Sequence, residues 1–200
     1  MGRSTGLEPA TLGTTNRCSN QLSYDRHDAP LKGRAGALRV CVRLGKQRAA
    51  MRINDTIRRF GYPGTLVADF DHWVVLLRPA QPTLGSLILA ARSDATAFGD
   101  LPEGAHAELR RVTRAIEAGL SQEIGYERIN YLMLMMVDPH VHFHVLPRYQ
   151  GARTLDGITI ADAGWPGPPD LKSAVLIEPD QRAGLVNRLS KTLREMGKFD

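Results

Sequence analysis

From residue 53 onward the apolar positions fall into clean helical and extended periods, whereas before it they do not. Ile53, Ile57 and Phe60, spaced by four and three, predict a short helix over 53–60 that Gly61-Tyr-Pro-Gly64 stops. Segments 65–70 and 72–77 read as two strands around a tight turn at Asp71, and 86–91 as a third. The clearest helix spans 102–124. Ala105, Leu109, Val112, Ile116, Leu120 and Ile124 form one stripe, Pro102 suits the first turn and Gly125 the end, while His106 falls off the stripe and reads as a surface residue. The run 129–137 is apolar almost throughout, which predicts a strand buried on both faces and central in its sheet.

Beyond 148 the pattern loosens. Residues 155–160 read as one short strand and 161–170 as a Gly/Pro loop carrying Trp165, a surface for stacking a base or a hydrophobic plug. Leu185, Leu189, Leu193 and Met196 mark a closing amphipathic helix over 180–196, packed on the sheet or on a second subunit. Strands broken by one long helix give an α+β domain with a mainly antiparallel sheet of about five strands.

Charge separates the chain into two parts. The formal net charge is +5 over 200 residues, yet residues 1–50 carry nine Lys/Arg against three Asp/Glu, and 51–200 carry seventeen against eighteen. The body therefore has no basic field for nucleic acid. The leading segment is rich in Gly, Thr, Ser, Asn and Arg, with only a marginal strand over 37–44. It lacks the apolar core of a secretory signal, and no stretch approaches a membrane span. Its composition resembles translated non-coding DNA, so a natural start near Met51 is expected, against the rival reading of a basic tail that recruits a partner. Residues 51–200 then form a single domain. Both cysteines, Cys18 and Cys41, lie in the leader, which leaves the body without a disulfide framework or thiolate site and points to the cytoplasm.

The chemistry concentrates in Asp138-Pro-His-Val-His-Phe-His-Val-Leu-Pro-Arg148. His140, His142 and His144 alternate with Val141, Phe143 and Val145, so an extended segment puts three imidazoles on one face. Their Cα atoms span about 13 Å. A single zinc ion needs nitrogens at about 2.0–2.1 Å, which two neighbouring rings can supply by leaning inward but three along a straight strand reach only with difficulty. A row of that length matches a chain of phosphates. The middle ring is then placed for in-line attack while its neighbours stabilise charge.

His140-Val-His-Phe-His-Val-Leu146 resembles the signature of the histidine triad (HIT) superfamily of nucleotide hydrolases and transferases. The resemblance covers 60–148, leaving a C-terminal loop and helix over 149–200, and Pro147-Arg148 is similar to the branch that hydrolyses dinucleoside polyphosphates such as diadenosine tetraphosphate. It implies a HIT-like fold, a homodimer, no cofactor, and a covalent nucleotidyl intermediate on His142 with His140 and His144 assisting. The expected substrate contacts are Ser86, Arg148, Asp138 and Trp165. The sequence departs from the family at three points. No Gly-Gln-Ser/Thr loop precedes the triad, Leu76 falls near the residue that holds ribose, and Gly85-Ser86 stands for the family's Gly-His. Two other readings remain: a metal protein using two triad histidines with Asp138, and a catalytically silent nucleotide-binding module.

Overall fold

The computed structural model describes residues 52–197. The leader, its two cysteines and the expected start near Met51 lie outside them.

In chain order the elements are α1 (Asp55–Arg59), β1 (Leu66–Asp69), β2 (Trp73–Leu77), β3 (Ala80–Gln81) and β4 (Leu87–Ala91). A short 3₁₀ turn then leads to α2 (Glu103–Ile124), β5 (Arg128–Leu132), β6 (His142–Arg148), β7 (Ala152–Leu155), β8 (Ile158–Ala161), β9 (Val175–Leu176) and α3 (Pro179–Met196). Five strands form one antiparallel sheet in the order β1-β2-β4-β6-β5, and β3-β9 and β7-β8 make two small ribbons. This is the expected α+β architecture.

Register assigns the two faces. Val74 pairs with Ala90 and Ala90 with His142, while Leu76 pairs with Ile88 and Ile88 with His144. Paired residues share a face, so these six line one side of the sheet. The opposite side carries Trp73, Val75, Leu77, Leu87, Leu89 and Val145 in the main core with α2 and α3. Trp73 Nε1 donates to the Ala105 carbonyl at 2.8 Å, pinning α2 to β2. A Cβ at Gly119 would lie 2.5 Å from Leu193 Cδ1, so glycine lets α2 and α3 approach closely. α3 therefore packs on α2 and on β1 within its own chain.

The second face is covered by α1, whose Ile57 packs on Val74, Leu76, Ile88 and Ala90. Five residues make a weak helix alone. Asn54 compensates: its Oδ1 accepts from Ile57 N at 3.0 Å, and its Nδ2 donates to the carbonyls of Ala91 and Ser93 at 3.1 and 2.8 Å.

Two expectations from the sequence are corrected. The run 129–137 is not a central strand: β5 ends at Leu132, occupies the sheet edge, and gives way to an irregular connection in which Met136 is 88% and Val137 77% exposed. Continuous apolarity here marks exposed surface rather than two-sided burial. Residues 155–160 are not one strand but the heart of a hairpin, β7 and β8 joined by Asp156-Gly157 at φ 48° and 79°. An Asp-Gly pair between alternating residues is the strong signal for such a turn. His140 precedes β6 rather than opening it.

Candidate active site around the histidine row

β6 is fixed on both sides, by β4 and β5, and this holds His142 and His144 on the α1 face. Their ring centroids lie 5.1 Å apart. His142 Nδ1 lies 2.8 Å from the carbonyl oxygen of His140. A carbonyl only accepts, so Nδ1 carries the proton, and in the neutral ring Nε2 keeps its lone pair. His140, just outside the strand, turns its Nδ1 to Thr56 Oγ1 at 2.9 Å. The three imidazoles thus have three different anchors: a hydroxyl from α1, a main-chain carbonyl, and packing.

His144 is held by packing. It is 9% exposed, and its buried Nδ1 has no hydrogen-bond partner. Burial first, then the neighbouring Arg78 guanidinium and His142, push its pKa down to about 4. The ring is neutral at pH 7. Phe60, just after α1, closes over the row, with its ring centroid 5.5 Å from that of His142 and 5.8 Å from that of His144. His142 is 2% exposed, so charge near its ring is weakly screened by solvent.

The other expected contacts are placed as follows. Asp138, two positions before His140 in the chain, pairs with Arg59 of α1 at 3.0 Å, linking the β5–β6 connection to the helix. Ser86 is fully buried at the start of β4; its hydroxyl donates to the Thr83 carbonyl at 2.6 Å and locks the turn before the strand. Arg148 shares the histidine face but lies four residues beyond His144. Its Nε and Nη2 bond Asp162 at 2.6 and 3.1 Å, Nη1 bonds Asn130 Oδ1 at 2.8 Å, and Nη2 also bonds the Gly167 carbonyl at 3.0 Å. That guanidinium is committed to holding the 162–167 loop. Trp165, half-buried on this loop, walls an open cleft of about 530 Å³ with Arg128, Asn130 and Leu132. Leu132 pairs with His144, so the cleft begins one rung from the row.

The structure therefore links the three histidines along the β6 segment, ties Asp138 to Arg59, brings the Trp165 cleft alongside, and turns Ser86 and Arg148 to internal tasks. It adds Thr56, Phe60 and Arg78, which no motif marks: Thr56 and His140 are 84 positions apart. The phasing of Phe60 with Ile57 was the one available signal, since it placed both on a helix face. Among the described residues no three His, Cys, Asp or Glu side chains group as a metal set, and no helix is long and apolar enough to cross a membrane.

No family model matches the chain, and no curated protein matches it in sequence. Solved structures do. A histidine triad protein from Sinorhizobium meliloti superposes with a TM-score of 0.56 at 19% identity, over 72% of this chain and 97% of that one. One from Marinobacter aquaeolei gives 0.54 at 24% identity over 66% and 89%. One from Sulfolobus tokodaii, described as a hypothetical histidine triad nucleotide-binding protein, gives 0.53 at 15% over 68% and 90%. The fold is that of the histidine triad proteins. At these identities the likeness establishes the fold, and the chemistry rests on the side chains themselves.

Proposed function

We propose that the protein is a nucleotide hydrolase or nucleotidyl transferase that works through a covalent nucleotidyl-His142 intermediate. The observation that carries this is the 2.8 Å contact between His142 Nδ1 and the His140 carbonyl, which presents an unprotonated Nε2 inside the row. The Nε2 lone pair forms an N–P bond to the α-phosphorus as the bond from phosphorus to the leaving oxygen breaks, and that oxygen takes the electron pair. Water or an acceptor hydroxyl then attacks phosphorus, gives up its proton, and the N–P electrons return to Nε2. His140, oriented by Thr56, and His144 flank the developing charge. The name carried by the Sulfolobus tokodaii protein of this fold agrees with a nucleotide ligand. We assign the substrate to the dinucleoside polyphosphates, diadenosine tetraphosphate among them, and the enzyme to a cytoplasmic homodimer. The body free of cysteine and the exposed edge beside β5 support the last two assignments.

One observation favours a second reading, a binding module without turnover: the connection before the triad presents Met133, Leu134, Met136 and Val137 rather than phosphate donors. A single experiment separates the two. A base quench during incubation with a dinucleoside polyphosphate preserves a phosphoramidate. Intact mass should then show one added nucleotidyl group, and fragmentation should place it on His142. Binding with no adduct and no turnover leaves the silent module. Turnover that survives in His142→Asn and vanishes with chelator identifies metal-bound water instead.

A further inference from the structure

Arg78 follows β2, and its amide bonds the carbonyl of Ser86. Alternation along β2 puts it on the face of Val74 and Leu76, which is the face of the histidine row. Its Nη1 is buried and bonds nothing among the described residues. His144 Nδ1 is in the same condition on the same face. A buried polar nitrogen without a partner is costly, and a guanidinium more so, unless something anionic completes the pair. The two side chains are coupled through charge: the Arg78 cation helps keep the His144 ring neutral. A neutral His144 is a poor counter-charge for a phosphate, whereas Arg78 stays a cation at neutral pH even though burial lowers its pKa.

We infer that Arg78 and His144 form a subsite for a second phosphate group, next to the phosphorus attacked by His142. The inference rests on the nucleotidyl reading above and adds Arg78 to the side chains that recognise its polyphosphate. A row ending in a fixed cation requires an anionic group at that end, so the substrate carries at least two linked phosphates. A nucleoside phosphoramidate, whose leaving group is an amine, leaves Arg78 unpaired and is disfavoured. Arg78 also supplies charge that the chain does not provide from the connection before His140, where Asp138 is an anion tied to Arg59.

The test measures binding of AMP, ADP and inorganic tripolyphosphate to His142→Asn protein, with and without Arg78→Gln or Arg78→Lys. Expected is a preference for ADP and tripolyphosphate over AMP that falls about ten- to a hundredfold in Arg78→Gln, with AMP affinity unchanged and partial recovery in Arg78→Lys. The ring signals of His144 should also titrate at higher pH in Arg78→Gln, which a remote structural role would not produce. Equal loss of AMP and ADP affinity, or ADP binding unaffected by Arg78→Gln, overturns the subsite while leaving an adduct on His142 intact. Absence of binding by all three ligands, together with no adduct in the unmodified protein, overturns the subsite and the nucleotidyl reading together.

Discussion

Thr56 Oγ1 lies 2.9 Å from His140 Nδ1, so a five-residue helix near the start of the domain orients a ring 84 positions later. α1 is thereby part of the site and not only a cap on the sheet. Thr56→Val keeps the shape and removes the hydroxyl. It should cost about 1 kcal/mol of stability in urea titration. Nucleotidylation of His142 should slow by a factor of ten or more, and His140→Asn should add little on top of it, because both changes remove the same oriented ring. Additive losses in the double variant would show that Thr56 acts elsewhere.

Arg148 and Asp162 make the opposite case, a charged pair with a structural task. Both are buried, and the pair holds the loop that carries Trp165. Asp162→Ala leaves a buried cation without its partner and should destabilise the protein by about 3–5 kcal/mol. The folded fraction should still form the His142 adduct. A stable Asp162→Ala protein with weakened ADP binding would return Arg148 to the substrate contacts expected from sequence.

Local pattern reached as far as local physics does. The alternation over 140–148 yielded β6 with two of its histidines on one face, and the 3.6 period yielded α2 and α3, because each depends on burial of one side of one element. The edge position of β5 depends on which strands pair, and apolarity is the same in a central strand and in an exposed connection. The resemblance implies substrate contacts at Arg148 and Ser86 from the Pro147 and Gly85 that precede them. Their actual partners, Asp162, Asn130 and the Thr83 carbonyl, are set by folding. The same holds in reverse for Arg78, an ordinary strand-end arginine until its orphaned nitrogen is found on the face of His144.

The low pKa of His144 makes a prediction with a definite sign. The ring titrates near 6.5 when unfolded and at about 4 when folded. Between those values the unfolded chain holds more protons, so stability falls as pH drops through that window. Above it His144 contributes nothing to the slope, and below it the loss levels off at about 3 kcal/mol. His144→Gln should remove this component. The measurement is the difference between unmodified and His144→Gln protein in urea unfolding from pH 4 to 8. A flat difference would mean that the ring is protonated in the folded state and already charged for phosphate.

The edge of the sheet sets the last prediction. Among the described residues β5 pairs with β6 on one side only, so its outer backbone groups face outward, and unpaired edges invite a second strand. Natural edges are blunted with charge or proline, but here the strand runs into Met133, Leu134, Met136 and Val137. Met135 has φ 43°, an uncommon value for a residue with a side chain, and this bend throws Met136 and Val137 outward. Such a concentration of apolar surface beside an open edge is expected to bury itself against the same edge of a second copy, giving a two-fold homodimer with a continuous sheet. Sedimentation at micromolar concentration should give twice the chain mass. Met136→Lys combined with Val137→Lys should shift it to the single-chain mass, because two desolvated cations at the centre of a two-fold contact meet their own copies. Neither side chain supports the core, so far-UV circular dichroism should not change. A wild-type protein that sediments as a monomer would mean that the exposed run serves something other than self-association.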